Sequence, residues 1–295
     1  MAKKTSHTLS YLLARTSNRY TRTLQEDLAD ALKDLPDVDM RKVPYKDKIL
    51  TGTVLEERDG MVVLQLAASA PGEQASTLPS RSAGEQQVTL GTLDAPEGHD
   101  FSDGDLICLI DDNDIFVCAS GMRDNMLYPF LVELFKKQGK DVQSDDWSLD
   151  LVHGADRNVM RQIQKHHIKS IRISAVVSAA QISDYTVHKN SFFSQLLEAT
   201  TPLSESAANA DAKVSLTVDR VHNSSAKLEW LEAEAGDIVA GNADYIIRTM
   251  DGDVFTPEKI IIKRYSKFTP YGKSVFLDEA ISRLKEFRRH VQNNE

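Results

Sequence analysis

The chain has 295 residues, of which 41% are hydrophobic and 27% charged, with a formal net charge of −9. This is ordinary globular composition, enough for a core without disulfide or metal staples, and its acidic sum argues against a generic basic nucleic-acid glue. No apolar run approaches the roughly 18 residues of a membrane helix, and Met1-Ala2-Lys3-Lys4-Thr5 is not followed by the apolar run of a signal peptide, so a cytoplasmic protein is expected.

In chain order, Thr8–Arg15 reads as a strand. Thr21–Lys33 reads as a helix, with Leu24, Leu28 and Leu32 recurring every four residues beside Ala31. Lys48–Glu56 and Met61–Leu66 form a hairpin about Arg58-Asp59-Gly60. Residues 69–88, rich in Ala, Ser, Gly, Pro and Gln, read as a flexible surface loop. A second hairpin joins Leu106–Ile110 to Ile115–Ala119 through Asp111-Asp112-Asn113-Asp114, read as a solvated turn that blunts a sheet edge. Its strands carry both cysteines. In hairpin register Cys108 sits opposite Val117 and Cys118 opposite Ile107, so the sulfurs point to opposite faces. Two buried free thiols are expected, not a disulfide.

Helical spacing follows over Asn125–Gln138, with Gly139 as its stop. Asp156–His166 reads as a short helix and Ile168–Val177 as a half-buried strand. Lys213–Val218 is a strand, Ser224–Ala235 a helix, and Tyr245–Met250 with Lys259–Tyr265 a hairpin around Asp251-Gly252. Ser274–Val291 reads as a terminal helix turning Phe276, Ala280, Leu284, Phe287 and Val291 inward. Short antiparallel hairpins interleaved with helices predict an α+β fold. Two lobes are expected: an N-terminal one over 1–175, carrying the 69–88 loop, and a C-terminal one over 176–295, ending in the long helix.

Catalytic signatures are missing from the pattern. Gly272-Lys273-Ser274 supplies the end of a phosphate loop, but Lys267 stands where its first glycine belongs. Asp253, Glu258 and Lys259 approximate a nuclease triplet, with Glu258 and Lys259 too close in sequence to share a strand face. His166-His167 are adjacent and diverge, and Asp111, Asp112 and Asp114 lack the glycine and distal glutamate of a calcium loop. No catalytic residue, metal site or cofactor is expected.

Two basic constellations stand out against the acidic background. Arg157, Arg161 and Lys165 recur every four residues, and Lys169 and Arg172 continue the charge into the next strand. Lys263, Arg264, Lys267 and Lys273 interleave with Tyr265, Phe268 and Tyr271. Bases attract phosphates and aromatic rings stack on unpaired nucleobases. Taken alone, each patch also reads as a solvated helix face or a strand exit. The candidate DNA contacts are therefore Lys263, Arg264, Lys267, Lys273, Arg161, Lys165, Lys169 and Arg172, with Tyr265, Phe268 and Tyr271 as candidate stacking residues.

Three stretches also carry a resemblance: Phe101-Ser102-Asp103-Gly104-Asp105-Leu106-Ile107; Trp147-Ser148-Leu149-Asp150-Leu151-Val152-His153-Gly154, leading through Asn158-Val159-Met160 into Ile168–Ala175; and Ala243 to Ile262. With the order of elements, they resemble the RexA family of phage exclusion proteins, from the Rex system of phage lambda. The KwaB family of the Kiwa defence system is similar more distantly.

The resemblance implies a cytoplasmic homodimer that binds double-stranded DNA with little sequence preference. It also implies a sensor of phage infection that signals to a membrane effector encoded nearby. One departure matters: Val214-Ser215-Leu216-Thr217-Val218-Asp219-Arg220-Val221-His222 lacks the strongly basic segment of that family, so contacts must come from the two constellations above. A divergent nuclease or toxin effector, and a scaffold that binds only protein, remain as alternative readings.

Overall fold

The computed structural model describes residues 4–18, 22–77, 91–140, 143–144, 147–178, 211–219 and 244–293. The fold is α+β, with antiparallel sheets and helices. The chain divides into two compact units: Met1–Gly154 with Ile262–Glu295, and Ala155–Ile261. The expected break near residue 176 is thus replaced by an insertion. The second unit interrupts the first, whose last three strands and terminal helix come from the far end of the chain.

The first unit contains, in order, β1 (Thr5–Asn18), α1 (Leu24–Asp34), β2 (Lys42–Tyr45), β3 (Lys48–Arg58), β4 (Met61–Ser69), β5 (Ala75–Thr77), β6 (Gly91–Leu93), β7 (Ser102–Asp111), β8 (Asp114–Ser120), α2 (Leu127–Lys137), β9 (Gln143–Ser144) and β10 (Trp147–His153). The second contains α3 (Arg157–Lys165), β11 (Ile168–Ser178), β12 (Asp211–Asp219), β13 (Asp244–Thr249), β14 (Val254–Phe255) and α4 (Pro257–Ile260). The first unit then resumes with β15 (Lys263–Phe268), β16 (Pro270–Tyr271), β17 (Ser274–Val275) and α5 (Leu277–Asn293).

The main sheet runs β2-β3-β4-β7-β8-β1-β10-β9, and β15 also pairs with β1. Alternation along its strands divides the apolar residues between two cores. Leu12, Leu64, Cys108 and Val117 pack with Leu24, Leu28, Leu131 and Phe135 of α1 and α2. Tyr11, Val63, Leu109, Phe116 and Cys118 pack with Ala280, Leu284, Phe287 and Val291 of α5. Because the central strands are covered on both faces, Leu106–Ile110 and Ile115–Cys118 are continuous apolar runs instead of alternating ones. The cysteine register is the expected one, with Ile107 opposite Cys118 and Cys108 opposite Val117. Both thiols are free and buried. Burial pushes Cys118 up to about 12 and raises Cys108 as well, so neither supplies a thiolate nucleophile at neutral pH.

Helix α1 begins with a capping box between Thr23 and Glu26. Its Asp27 is 1% exposed. That carboxylate accepts hydrogen bonds from Lys140 Nζ at 2.8 Å and the Trp147 indole N–H at 3.2 Å, and is ion-paired with Arg22, whose Nε lies 3.2 Å away. One buried acid therefore ties α1 to the segment after α2 and to β10. The other end of α1 is held by buried Arg41, which donates to the carbonyls of Leu35, Pro36 and Gly52 at 2.8–3.0 Å.

The Asp111–Asp114 turn corrects its sequence reading. The β7–β8 hairpin lies mid-sheet, and its turn is a fastening point. Asp111 pairs with Arg288 of α5. Asn113 Oδ1 accepts the Leu24 amide at 2.8 Å. Asp114 accepts the Tyr11 hydroxyl at 2.6 Å. The 69–88 segment is partly structured, since Ala75–Thr77 pairs with Gly91–Leu93; residues 78–88 lie outside the described residues.

The second unit is built on a sheet of order β12-β11-β13-β14. Its core gathers Ile163, Ile168, Ile171, Tyr245, Ile247, Phe255 and Ile260. Asp156 caps α3 by accepting the amides of Asn158 and Val159. The expected hairpin of Tyr245–Met250 with Lys259–Tyr265 does not form. β13 turns back through Asp251-Gly252 onto β14, Pro257 opens α4, and Lys263–Phe268 joins β1 of the first unit. The Ser224–Ala235 helix falls outside the described residues.

The chain leaves and re-enters the first unit through a backbone knot. Gly154 N–H donates to Tyr11 O at 2.9 Å, Ile262 N–H to Gly154 O at 3.0 Å, and Tyr11 N–H to Ile262 O at 3.2 Å. Residue 154 must be glycine there, because a Cβ would lie 2.0 Å from the Tyr11 ring.

Asp27→Ala is expected to lower the unfolding free energy by about 1–3 kcal/mol, since a buried indole N–H loses its acceptor while Lys140 and Arg22 are partly rehydrated. Urea unfolding followed by tryptophan fluorescence checks this, and an unchanged midpoint would show that the network adds nothing to stability.

Candidate nucleic-acid interface

Strand β15 runs antiparallel to β1, with Lys263 opposite Ser10, Arg264 opposite Leu9, Tyr265 opposite Thr8, Lys267 opposite Ser6 and Phe268 opposite Thr5. Alternation puts Lys263, Tyr265 and Lys267 on one face, the face of Ser6, Thr8 and Ser10. Each lysine is two residues from the tyrosine, or about 7 Å along the strand. Tyr265 is 77% exposed, and Lys263 and Lys267 are exposed beside it.

The opposite face carries Arg264, Ser266 and Phe268. Phe268 is fully buried in the α5 core, edge-on to His7 with ring centroids 5.5 Å apart. It is therefore a core anchor, which corrects its assignment as a stacking residue.

Lys273 and Tyr271 lie on the β16–β17 hairpin, where Tyr271 pairs with Ser274 across a two-residue turn. Gly272 takes the left-handed conformation the turn needs, with φ 60°. The phosphate-loop-like Gly272-Lys273-Ser274 is thus a hairpin turn. Tyr271 is 59% exposed and lies against Phe276, 4.7 Å between centroids. Phe276, expected to point inward, is itself 45% exposed and precedes α5.

Two hydroxyls clamp this hairpin to the sheet. Ser120 donates to Lys273 O at 2.5 Å, and Ser274 donates to Asp105 Oδ2 at 2.5 Å. Gln65 Nε2 donates to the same carboxylate oxygen at 2.7 Å. Asp105 is 3% exposed. Burial raises its pKa against the opposing effect of these two hydrogen bonds.

The other constellation belongs to the second unit. Arg161 and Lys165 are exposed on α3, and Lys169 and Arg172 are exposed on β11. Arg157 continues the α3 stripe. At the C-terminal end of α3, His166 Nδ1 pairs with Asp251, while His167 is exposed with φ 52°.

Ion pairing distinguishes these bases from many others, although Lys46, Arg123, Arg248 and Arg289 also have no ion-pair partner among the described residues. Arg22, Lys48, Arg58, Lys140, Lys285 and Arg288 are each matched to a carboxylate. Lys263, Arg264, Lys267, Lys273, Arg161, Lys165 and Lys169 have no ion-pair partner among the described residues. The remaining member of the set, Arg172, does have an interacting partner.

Sequence spacing did not reveal that Arg264 is joined by Lys4 and by Arg283 of α5. Together with Lys267 and Glu286 they line a recess of about 240 Å³. The acid-free start of the chain was a partial signal for Lys4, whereas Arg283 carries none.

Asp253, Glu258 and Lys259 do not assemble on a hairpin. Glu258 and Lys259 sit on α4, and Lys259 Nζ donates to the Val254 carbonyl at 2.7 Å. Among the described residues no group of three His, Cys, Asp or Glu side chains is placed to hold a metal ion, and no helix is long and apolar enough to cross a membrane. No family model matches the chain, and no curated protein matches its sequence.

Two expectations follow for this site. Phe268→Ala should cost about 3–5 kcal/mol of stability, while Tyr265→Ala should change it by less than about 0.5 kcal/mol. Chemical denaturation of both variants checks the assignment of one ring to the core and the other to the surface.

The second concerns Asp105. Its native pKa lies above the ordinary value of 3.8, so the folded state keeps the proton longer than the unfolded chain. The associated stability is present at low pH and is lost as pH rises from 3.8 through the raised native value. Asp105→Asn removes that titration, and urea midpoints across this window should fall less with pH than in the wild type. An equally steep fall would assign the pH dependence to another group.

Proposed function

We propose that this chain is a non-enzymatic, cytoplasmic DNA-associated protein that senses phage infection. The observation that supports binding is the distribution of unmatched cations. In a chain of net charge −9, most other bases in the first unit answer a carboxylate, whereas β15 presents Lys263, Arg264 and Lys267 without one among the described residues. A polyanion supplies the missing counter-charge and releases its own counterions on binding. Repulsion from distant acids is screened beyond roughly 8–10 Å at physiological salt, so a local stripe suffices. These contacts address phosphates, which is consistent with duplex DNA and little sequence preference.

The resemblance to the RexA family supports the wider role: a homodimer reporting infection, with a membrane effector as its partner. Tyr265 favours a second reading of the ligand. A ring 77% exposed between two lysines on one strand face suits an unpaired base between two phosphates.

Fluorescence anisotropy with a labelled duplex and the matching single strand, over a salt series, tests both. Affinity should fall with salt, and Lys263→Glu with Lys267→Glu should weaken binding to all sequences and flatten the salt slope by about two. Tyr265→Ala should weaken only the single strand if that strand is the ligand. No binding of either nucleic acid at low salt would overturn the proposal.

A further inference from the structure

The recess beside β15 adjoins the Lys263–Tyr265–Lys267 row, sharing Tyr265 and Lys267 with it, and adds Lys4, Arg264, Arg283 and Glu286. Arg264 lies opposite Leu9, a residue of the core beneath α5, so alternation gives it to the α5 side. The recess has a volume of about 240 Å³ and is lined by Lys4, Arg264, Lys267, Arg283 and Glu286. Four cations thus meet one carboxylate. Glu286 accepts from Arg283 Nη1, at 3.1 Å and 3.4 Å to its two oxygens. No partner for Nε or Nη2 of Arg283 occurs among the described residues. Lys4, Arg264 and Lys267 are likewise unmatched there.

Like charges gathered in one concavity repel unless an anion sits among them, and concave walls focus the field. Two guanidiniums flanked by lysines are the donor set that a tetrahedral oxyanion accepts, since each arginine offers a planar fork and each lysine a movable point charge. We propose that the recess between β15 and α5 is a phosphate-binding site, with Arg264 and Arg283 as principal donors and Glu286 as the competing internal anion. If the phosphate belongs to a nucleic-acid backbone, the site rests on the function proposed above. If it is a free phosphate or the phosphate of a small ligand, the site stands without it.

The test uses the full chain and two probes. Inorganic phosphate, exchanged for chloride at constant ionic strength, should raise the thermal midpoint of the wild type by about 3 °C at tenfold excess over its dissociation constant. Arg264→Gln and Arg283→Gln should abolish that rise, and Arg289→Gln, an exposed charge control on the same helix, should keep it. Glu286→Gln should strengthen the response, a gain that misfolding cannot produce. With a labelled oligonucleotide, Arg264→Gln and Arg283→Gln should each weaken binding about tenfold and reduce the salt slope by about one, if the phosphate is a backbone one.

A wild type that responds to phosphate but ignores the oligonucleotide would keep the recess and remove the nucleic-acid reading. Oligonucleotide binding lost in Lys263→Glu and Lys267→Glu but retained in both arginine variants, with no phosphate response, would do the reverse. The recess is overturned if the two arginine variants match Arg289→Gln with both probes.

Discussion

Strand β1 is hydrogen-bonded along both edges, and the first unit is organised by that double pairing. β8 takes one edge from Thr8 to Leu13; β15 takes the other from Thr5 to Ser10, and β10 continues it from Leu12 to Asn18. A six-residue strand rich in lysine and arginine has little reason to form a sheet alone. β15 holds its place because β1 is already locked into the sheet and because Phe268 and Leu9 are buried under α5. The candidate binding side chains therefore project from a rigid ladder, not a loop, which fixes the spacing of their charges.

Charge is partitioned between the two roles that cations play here. One group fastens helices. Arg58, Lys285 and Arg288 join the ends of α5 and the hairpin turns to Asp278, Asp59 and Asp111, and Lys140 closes on buried Asp27. The other group, Lys263, Arg264 and Lys267 on β15, Lys273 on the β16–β17 turn, and Arg161 and Lys165 on α3, has no carboxylate to answer it among the described residues. Net charge alone hides this division, because the acids of the first group are spent internally.

Much of the architecture was legible in the sequence. Leucines every fourth residue marked α1, and turn residues between apolar runs located the β3–β4 and β7–β8 hairpins. Two cysteines in hairpin register could be assigned to opposite faces. What failed was non-local. The Ile260–Ile262 run looked like the return arm of β13, but Pro257 nucleates a turn of helix and the next residues cross to a partner more than 250 positions upstream. The acidic turn looked solvated because its partners, Leu24, Tyr11 and Arg288, come from three separate elements. At the site, the basic residues were readable from composition. The aromatic roles were not, since deciding between Tyr265 and Phe268 requires knowing which face of β15 meets α5.

Gly154 and Ile262 are hydrogen-bonded to each other and to Tyr11, so residues 155–261 depart and return at the same place. Beyond that point Ala155 still bridges Ile261, and Asp156 N–H donates to Ile260 O at 2.8 Å. The insert thus begins and ends with neighbouring residues. Such a junction allows a module to be exchanged, lengthened or lost without disturbing the host sheet. It also imposes an order on synthesis. The ribosome must deliver the whole insert before β15 can reach β1, so the host unit is completed last although its first strand is made first.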